Sequence, residues 1–434
     1  STERNIIMTS LKKITAAAAA AAMCAAILTA CGDKVQTDEA TADTAVNQPA
    51  IVTTAADVNA VDPAEPFDLA GGVTDKMYNR AIMNEGDLVR LAAAMKKAQS
   101  GESVTVGVIG GSITQGTAAS NQNNCYASKF FNWWSEKFPE GSFNFVNAGI
   151  GGTDSYLGVH RIDEQLLSQN PDVVIVEFSV NDTDKTMNKY SYDSLVRKIL
   201  TADNDPAVIL LFTTQEDGTS MQDIHKEIGT AYDLPMVSYK NAVYPEVAAG
   251  TLAWDDISPD NIHPNDAGHD IIGQILSRYL NSVYDKLDTI TEEPTAFDTQ
   301  AMTNDYYKNA ALYNASQITP SAMEGFEVGQ NNVYSQFTDN WLTQGGGTMT
   351  FDAECQNFGI FFLRTTDGKS GTYEVYVDGQ RKGKMEADFS GGWGNYGYGQ
   401  QFLISKEAAQ HTIEIKPAEG SEDKAITILA LMIS

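Results

Sequence analysis

The stretch Val104-Thr105-Val106-Gly107-Val108-Ile109-Gly110-Gly111-Ser112-Ile113-Thr114 decides how the chain is read. Its near-continuous apolar start predicts a strand buried on both faces, as in parallel sheets covered by helices. The strand runs into two glycines and a serine, and after Gly116 a helix-like segment carries Phe130, Phe131, Trp133 and Trp134. Two glycines permit a tight strand-to-helix turn and a close approach to the backbone, while a helix N-terminus favours developing negative charge. A serine on such a turn is poised to attack. Alone the signal is weak, because glycine-rich turns after strands also hold phosphates or merely reverse the chain.

Comparable apolar runs recur on the C-terminal side: Phe143-Asn144-Phe145-Val146, Val173 to Phe178, Val208 to Phe212 and Leu234 to Val237, separated by helix-length polar segments. On the N-terminal side, Gly86-Asp87 opens an amphipathic helix carried by Leu88, Leu91, Ala92 and Met95, ending near Gly101. Strands alternating with helices predict a mostly parallel sheet in a three-layer α/β domain, with ligand sites at the carboxyl ends of the strands. Past residue 320 the texture changes. Gly347 to Phe351, Thr372 to Val377 and His411 to Ile415 alternate, punctuated by Asp367-Gly368 and Asp378-Gly379, which are hairpin signals. This C-terminal region is expected to be an all-β sandwich, jelly-roll-like. Its glycine-rich loop 391–399 presents Trp393, Tyr396 and Tyr398 as candidate carbohydrate contacts, since aromatic faces are platforms for sugar rings. Covering the neighbouring domain or filling the end of the sandwich are the other readings of that loop.

Further upstream, Lys12 and Lys13 precede an uncharged, alanine-dominated run from Ile14 to Leu28, too short to span a bilayer. It reads as a signal-peptide core. The run closes on Leu28-Thr29-Ala30-Cys31, which resembles the lipobox of bacterial lipoproteins, with Cys31 the residue that would receive lipid. Residues 32–66 are rich in Asp, Thr, Ala and Pro without periodicity and read as a flexible tether. The expected organisation is a leader at 1–31, a linker at 32–66, the α/β domain at 67–290, a connector at 291–325 and a β-sandwich accessory domain at 326–434. Cys125 and Cys355 are too few and too far apart to form a disulfide framework. With 29 Lys and Arg against 57 Asp and Glu in 434 residues, the formal charge is -28. So acidic a surface repels phosphate backbones and anionic lipid heads, which argues against a nucleic-acid partner and confines membrane contact to a lipid anchor.

Asp260-Asn261-Ile262-His263-Pro264 supplies what a serine on that turn would need. A hydroxyl is a poor nucleophile at neutral pH unless a base takes its proton, and an imidazole serves well when a carboxylate fixes its tautomer. On a short loop before a helix opened by Pro264, the three-residue offset lets the Asp260 carboxylate reach Nδ1 while Nε2 faces outward. His160, His225 and His411 have no acid in an equivalent place, and His269 is expected to pack structurally. Asp154 and Asp182 read as loop or cap carboxylates. Oxyanion donors are available from Asn147-Ala148-Gly149-Ile150-Gly151-Gly152 and from Phe178-Ser179-Val180-Asn181-Asp182. Each such donor is typically worth ~3 kcal/mol in the transition state. No metal-ligand spacing and no dinucleotide fingerprint is present in the sequence, so no cofactor is implied.

Taken together, these four blocks resemble the SGNH hydrolase superfamily, the GDSL-type esterases and lipases, over roughly residues 100–285. The resemblance implies a flavodoxin-like three-layer α/β/α fold. It further implies Ser112 as nucleophile, His263 as general base then acid, and Asp260 as its orienter. The oxyanion hole would comprise the N–H groups of Ser112 and Gly152 and the amide of Asn181, with Gly149 and Gly151 rival glycines. Two positions depart from the family pattern: Gly111 stands where the name-giving motif has Asp, and Ser179 where the asparagine block commonly has glycine. The expected activity is that of an exported, membrane-anchored carbohydrate esterase removing O-acetyl groups from a polysaccharide such as xylan. A lipase-like or lysophospholipase-like acyl esterase and a non-catalytic glycan-binding surface lipoprotein are the alternatives.

Overall fold

A computed structural model describes residues 69–434. The expected leader, Cys31 and the tether to residue 66 lie outside the described residues. Thr74 caps α1 (Asp75–Ala81) by accepting the Met77 N–H, and β1 (Ile82–Asn84) and α2 (Val89–Gln99) follow. The alternation then runs β2 (Ser103–Gly110), a one-turn α3 (Ser112–Gln115), α4 (Tyr126–Lys137), β3 (Ser142–Gly149), α5 (Ser155–Gln165) and β4 (Val173–Glu177). It continues through α6 (Thr186–Leu200), β5 (Ala207–Phe212), α7 (Gln222–Ala231), β6 (Met236–Ser238), α8 (Tyr239–Ala248), α9 (Trp254–Ile257) and α10 (Asp266–Tyr284).

The sheet order is β1-β6-β5-β4-β2-β3. Strands β2 to β6 are joined by parallel ladders in the flavodoxin-like order, as expected. The antiparallel edge strand β1 had no sequence signal, being three residues long and only partly buried. Side-chain alternation explains the apolar runs. On β4, Val173 and Ile175 join a core with Phe130, Trp134, Ile271 and Ile275, while Val174 and Val176 join one with Tyr156, Val159, Leu195 and Ile199. Both faces are therefore buried under helices.

The second sheet has the path β13-β12-β14-β11-β15-β10-β9, with β7 on β15 and β8 on β11, all through antiparallel ladders. Its strands are β7 (Ala311–Tyr313), β8 (Ala322–Glu324), β9 (Glu327–Gly329), β10 (Asn340–Thr343) and β11 (Thr348–Arg364). They are followed by β12 (Thr372–Val377), β13 (Gln380–Glu386), β14 (Tyr396–Pro417) and β15 (Ile426–Ile433). The alternating runs at 347–351 and 411–415 are thus pieces of two much longer strands, bent where the register shifts at Cys355/Asn357 and Phe358/Gly359. Asp378 and Gly379, both at positive φ, make the β12–β13 hairpin that the dipeptide predicts. Segment 291–325, expected as a connector, contributes β7 and β8 to this sheet, because three-residue strands leave no periodicity to detect.

The two regions share a core. Phe361, Leu429, Ala430 and Met432 from β11 and β15 are buried with Tyr156, Leu157 and Ile109 of the first domain, while Phe358, Ile360, Phe362 and Leu431 fill the β region's own interior. Cys125 and Cys355 are both free and buried.

Candidate active site

Ser112 begins the turn of helix after β2, at the point where the sheet order reverses between β3 and β4. Open α/β sheets bind ligands at such switch points. Close contact fixes the turn. A Cβ on Gly149 would lie 2.3 Å from the Gln115 nitrogen, and one on Gly111 would lie 2.1 Å from Asn181 Oδ1. Gly111 therefore has a physical reason to differ from the motif's aspartate: the Asn181 carboxamide occupies the space a side chain would need. The loop after β4 holds Ser179, the second departure. Its Oγ accepts the Thr213 N–H at 2.7 Å and lies 3.1 Å from the Thr213 carbonyl, to which it donates. The hydroxyl that replaces glycine ties the ends of β4 and β5 together.

The loop before α10 brings His263 to the serine across 151 residues of sequence, with Nε2 2.8 Å from Ser112 Oγ. His263 Nδ1 lies 2.8 Å from Asp260 Oδ2, and Asp260 Oδ1 accepts the N–H groups of Ile262 and His263 at 2.8 and 2.7 Å. Burial alone would raise the Asp260 pKa. The hydrogen bond and charge of His263, with the two N–H groups, outweigh it and hold the carboxyl below its ordinary value. An ionised carboxylate only accepts, so Nδ1–H donates to it and the bare Nε2 accepts from the serine hydroxyl. Trp254 Nε1 and Ser258 Oγ both donate to the Asp260 carbonyl at 2.6 Å and clamp the loop. The helix starts later than its proline suggested: Asn265 is the cap, accepting the N–H groups of Ala267 and Gly268.

Gly149 donates its N–H to Asn147 Oδ1 and Gly151 to Gln115 Oε1, both internal bonds. Gly152, at φ +74°, lines the same cavity as Ser112, His263 and Asn181. This cavity of about 490 Å³ lies between the two domains, and the β region supplies Tyr334, Arg364, Phe389, Trp393, Tyr396 and Tyr398 to its wall. The glycine-rich stretch expected as a loop becomes strand β14 at Tyr396, which is only 8% exposed, whereas Trp393 is 39% exposed. Their rings lie 4.8 Å apart, tilted by 30°, and sit on Gly152, whose added Cβ would meet Tyr396 Cδ2 at 3.3 Å and Trp393 Cη2 at 3.4 Å. Arg364 donates to the Tyr396 hydroxyl at 2.8 Å and lies over the Phe389 ring. Neither Arg364 nor Phe389 carried a sequence signal, being a strand-end charge and a lone aromatic far from any motif.

The remaining carboxylates and histidines sort by surroundings. Asp154 caps α5 through the Leu157 N–H, and burial beside Asp182 pushes its carboxyl up to about 6. His225 and His411 have no acid at the offset that Asp260 has from His263, as read from the sequence, but the fold brings one to each. His225 Nε2 pairs with buried Asp182 at 2.9 Å and His411 Nδ1 with Asp378 at 2.8 Å, both acids more than thirty residues away in sequence. His269 is buried, receives the Tyr126 N–H at 3.3 Å, and is held down to about 4 by burial.

This fold and site define an ester hydrolase of the SGNH superfamily. In particular, residues 108–271 match the GDSL-like Lipase/Acylhydrolase family, to which the chain belongs. The chain is similar to a two-domain esterase active on acetylated mannans, at 32% identity over 82% of this chain and 98% of that one, with a TM-score of 0.77. The same esterase crystallised with mannopentaose matches at 32% identity, 82% and 97% coverage and a TM-score of 0.76. No curated protein sequence matches. The protein is an esterase with a parallel-sheet α/β domain and a C-terminal β-sandwich region.

Proposed function

We propose that the protein is a carbohydrate esterase that removes O-acetyl groups from a polysaccharide through an acyl-enzyme. The observation that carries this reading is the continuous relay Asp260–His263–Ser112, with both links at 2.8 Å, opening into a cavity walled by aromatic side chains of the β region. His263 takes the Ser112 proton as Oγ attacks the acetyl carbonyl, and Asp260 steadies the imidazolium. The N–H groups of Ser112 and Gly152 and the Asn181 amide receive the oxyanion. His263 then protonates the leaving sugar oxygen, and water, activated by the same imidazole, releases acetate. That Gly149 and Gly151 spend their N–H groups internally favours Gly152 as the donor.

Trp393, Tyr396 and Tyr398, which line the cavity, are assigned to the sugar, as an aromatic ring offers a face to its C–H groups. The likeness to the esterase active on acetylated mannans makes an acetylated mannan the first substrate to test, with acetylated xylan second. The leader pattern supports an exported enzyme tethered to a bacterial membrane through lipid on Cys31. The test is acetate release from acetylated mannan, acetylated xylan and nitrophenyl esters of increasing chain length. Wild type is expected to prefer acetyl, and Ser112→Ala and His263→Ala to lose turnover by at least about 10³-fold. A long-chain optimum, or turnover surviving in Ser112→Ala, overturns the reading. Retention of a Cys31→Ser variant in the membrane fraction overturns the anchor.

A further inference from the structure

Strand β4 has one charged residue, Glu177, at its C-terminal end, and its side chain is completely buried. Among the described residues no lysine, arginine or histidine pairs with it. A carboxyl group removed from water without a cation is costly, so its hydrogen bonds must account for its presence. Every one of them goes to a turn at the strand ends. Oε2 accepts the Thr114 hydroxyl at 3.0 Å and Oε1 accepts the Thr213 hydroxyl at 2.7 Å, and the Gly111 N–H lies near enough to favour the ionised carboxylate. Thr114 Oγ1 lies 2.7 Å from the Tyr126 hydroxyl of α4, and Thr213 Oγ1 lies 3.1 Å from Ser179 Oγ. Gly111 and Thr114 flank Ser112 on either side.

We infer that Glu177 is a positioning residue for Ser112, supplying from β4 the carboxylate that the serine turn itself lacks at Gly111. The inference rests on the reading of Ser112 as nucleophile. With the carboxylate near Gly111 N–H before it and bonded to Thr114 Oγ1 after it, the turn keeps the Ser112 N–H and Oγ in fixed relation to His263 and to the Asn181 carboxamide lying over Gly111. An aspartate at 111 would collide with that carboxamide, whereas a glutamate arriving from beneath leaves the space free. Both departures from the family pattern belong to the same network, since Ser179 meets Thr213, which meets Glu177.

Glu177→Gln keeps the shape but puts an amide donor where a donor now points. A misplacement of the turn by a fraction of an ångström is expected to lower kcat on nitrophenyl acetate about tenfold or more, with KM within twofold. The second-order rate of Ser112 modification by phenylmethylsulfonyl fluoride should fall in parallel, with the thermal midpoint close to wild type. Thr114→Val should reproduce the loss and Thr114→Ser restore activity. Wild-type kcat and modification rate in Glu177→Gln, or a loss confined to the thermal midpoint, would overturn the inference. Ser112→Ala in the same assays keeps the two readings apart: turnover surviving there sinks the nucleophile assignment, whereas a dead Ser112→Ala beside a fully active Glu177→Gln sinks only the role of Glu177.

Discussion

At Asp260 two effects oppose each other, and the hydrogen-bonded one wins: burial raises the carboxyl's pKa, and His263 with two backbone N–H groups lowers it further. An acid whose folded value is depressed contributes stability above its unfolded pKa, near ~4, and loses it only as pH falls below that range. The carboxylate is therefore ionised throughout the neutral range. Asp260→Asn preserves shape but cannot hold the proton on Nδ1, and is expected to reduce kcat about 10²–10⁴-fold at pH 7. Steady-state rates that stay within tenfold of wild type would contradict this. Asp154 has the opposite sign. Its folded value of about 6 lies above the ordinary 3.8, so its contribution to stability is present at low pH and is lost as pH rises through 6. Asp154→Asn keeps an acceptor for the Leu157 N–H. Its thermal midpoint relative to wild type should rise between pH 5 and pH 8, and a difference that does not change over that interval would refute the assignment.

The element that matters most for the site is α10, because its N-cap follows His263 by two residues. Asn265 Oδ1 takes the N–H groups of Ala267 and Gly268, and the Asn265 N–H goes back to the Ile257 carbonyl, so loop and helix share one anchor. Pro264 was a visible but misleading start signal: proline is at home in a first helical turn, yet the asparagine behind it satisfies two donors that proline cannot. Asn265→Ala should cost about 1 kcal/mol of stability, read as a shift in the urea midpoint. An unchanged midpoint would mean that the cap contributes nothing. In the β region the elements misled in the other direction. β11 and β14 run 17 and 22 residues, but their bulges break the alternation, so only fragments of them stood out in sequence.

For the molecule as a whole, the shared core between domains has a thermodynamic consequence. Tyr156 and Leu157 of α5 are buried against β11 and β15, and the domains are further joined by Asn357 Nδ2 donating to the Tyr306 carbonyl and Gln401 Nε2 to the Tyr307 hydroxyl of the connecting segment, whose Tyr307 ring in turn packs edge-on against Tyr156. Each half has a core of its own, but the apolar face they share is complete only when they are docked. Calorimetry should show one cooperative transition for both regions, and a chain ending near residue 305 should be aggregated or strongly destabilised. Two well-separated transitions would show instead that the halves are independent. The same docking forms the cavity wall, so such a truncation also removes Trp393 and Tyr396 from above Gly152.

The sequence by itself determined the alternation of buried strands and helices, the β character of the C-terminal region, and the four blocks that carry Ser112, Gly152, Asn181, Asp260 and His263. These are local properties: residue periodicity, turn-forming dipeptides and short-range spacing are written in neighbouring residues. Only the tertiary structure decided which glycine N–H groups are already spent, which acids His225 and His411 meet, and why Gly111 has no side chain. It alone revealed that Arg364 and Phe389 reach the cavity and that Glu177 lies beneath the serine turn. Apart from the Gly149 N–H bonded to Asn147 two residues away, those relations join residues from about 30 to more than 250 positions apart, and they arise from how sheet and sandwich fold together, which no local pattern encodes.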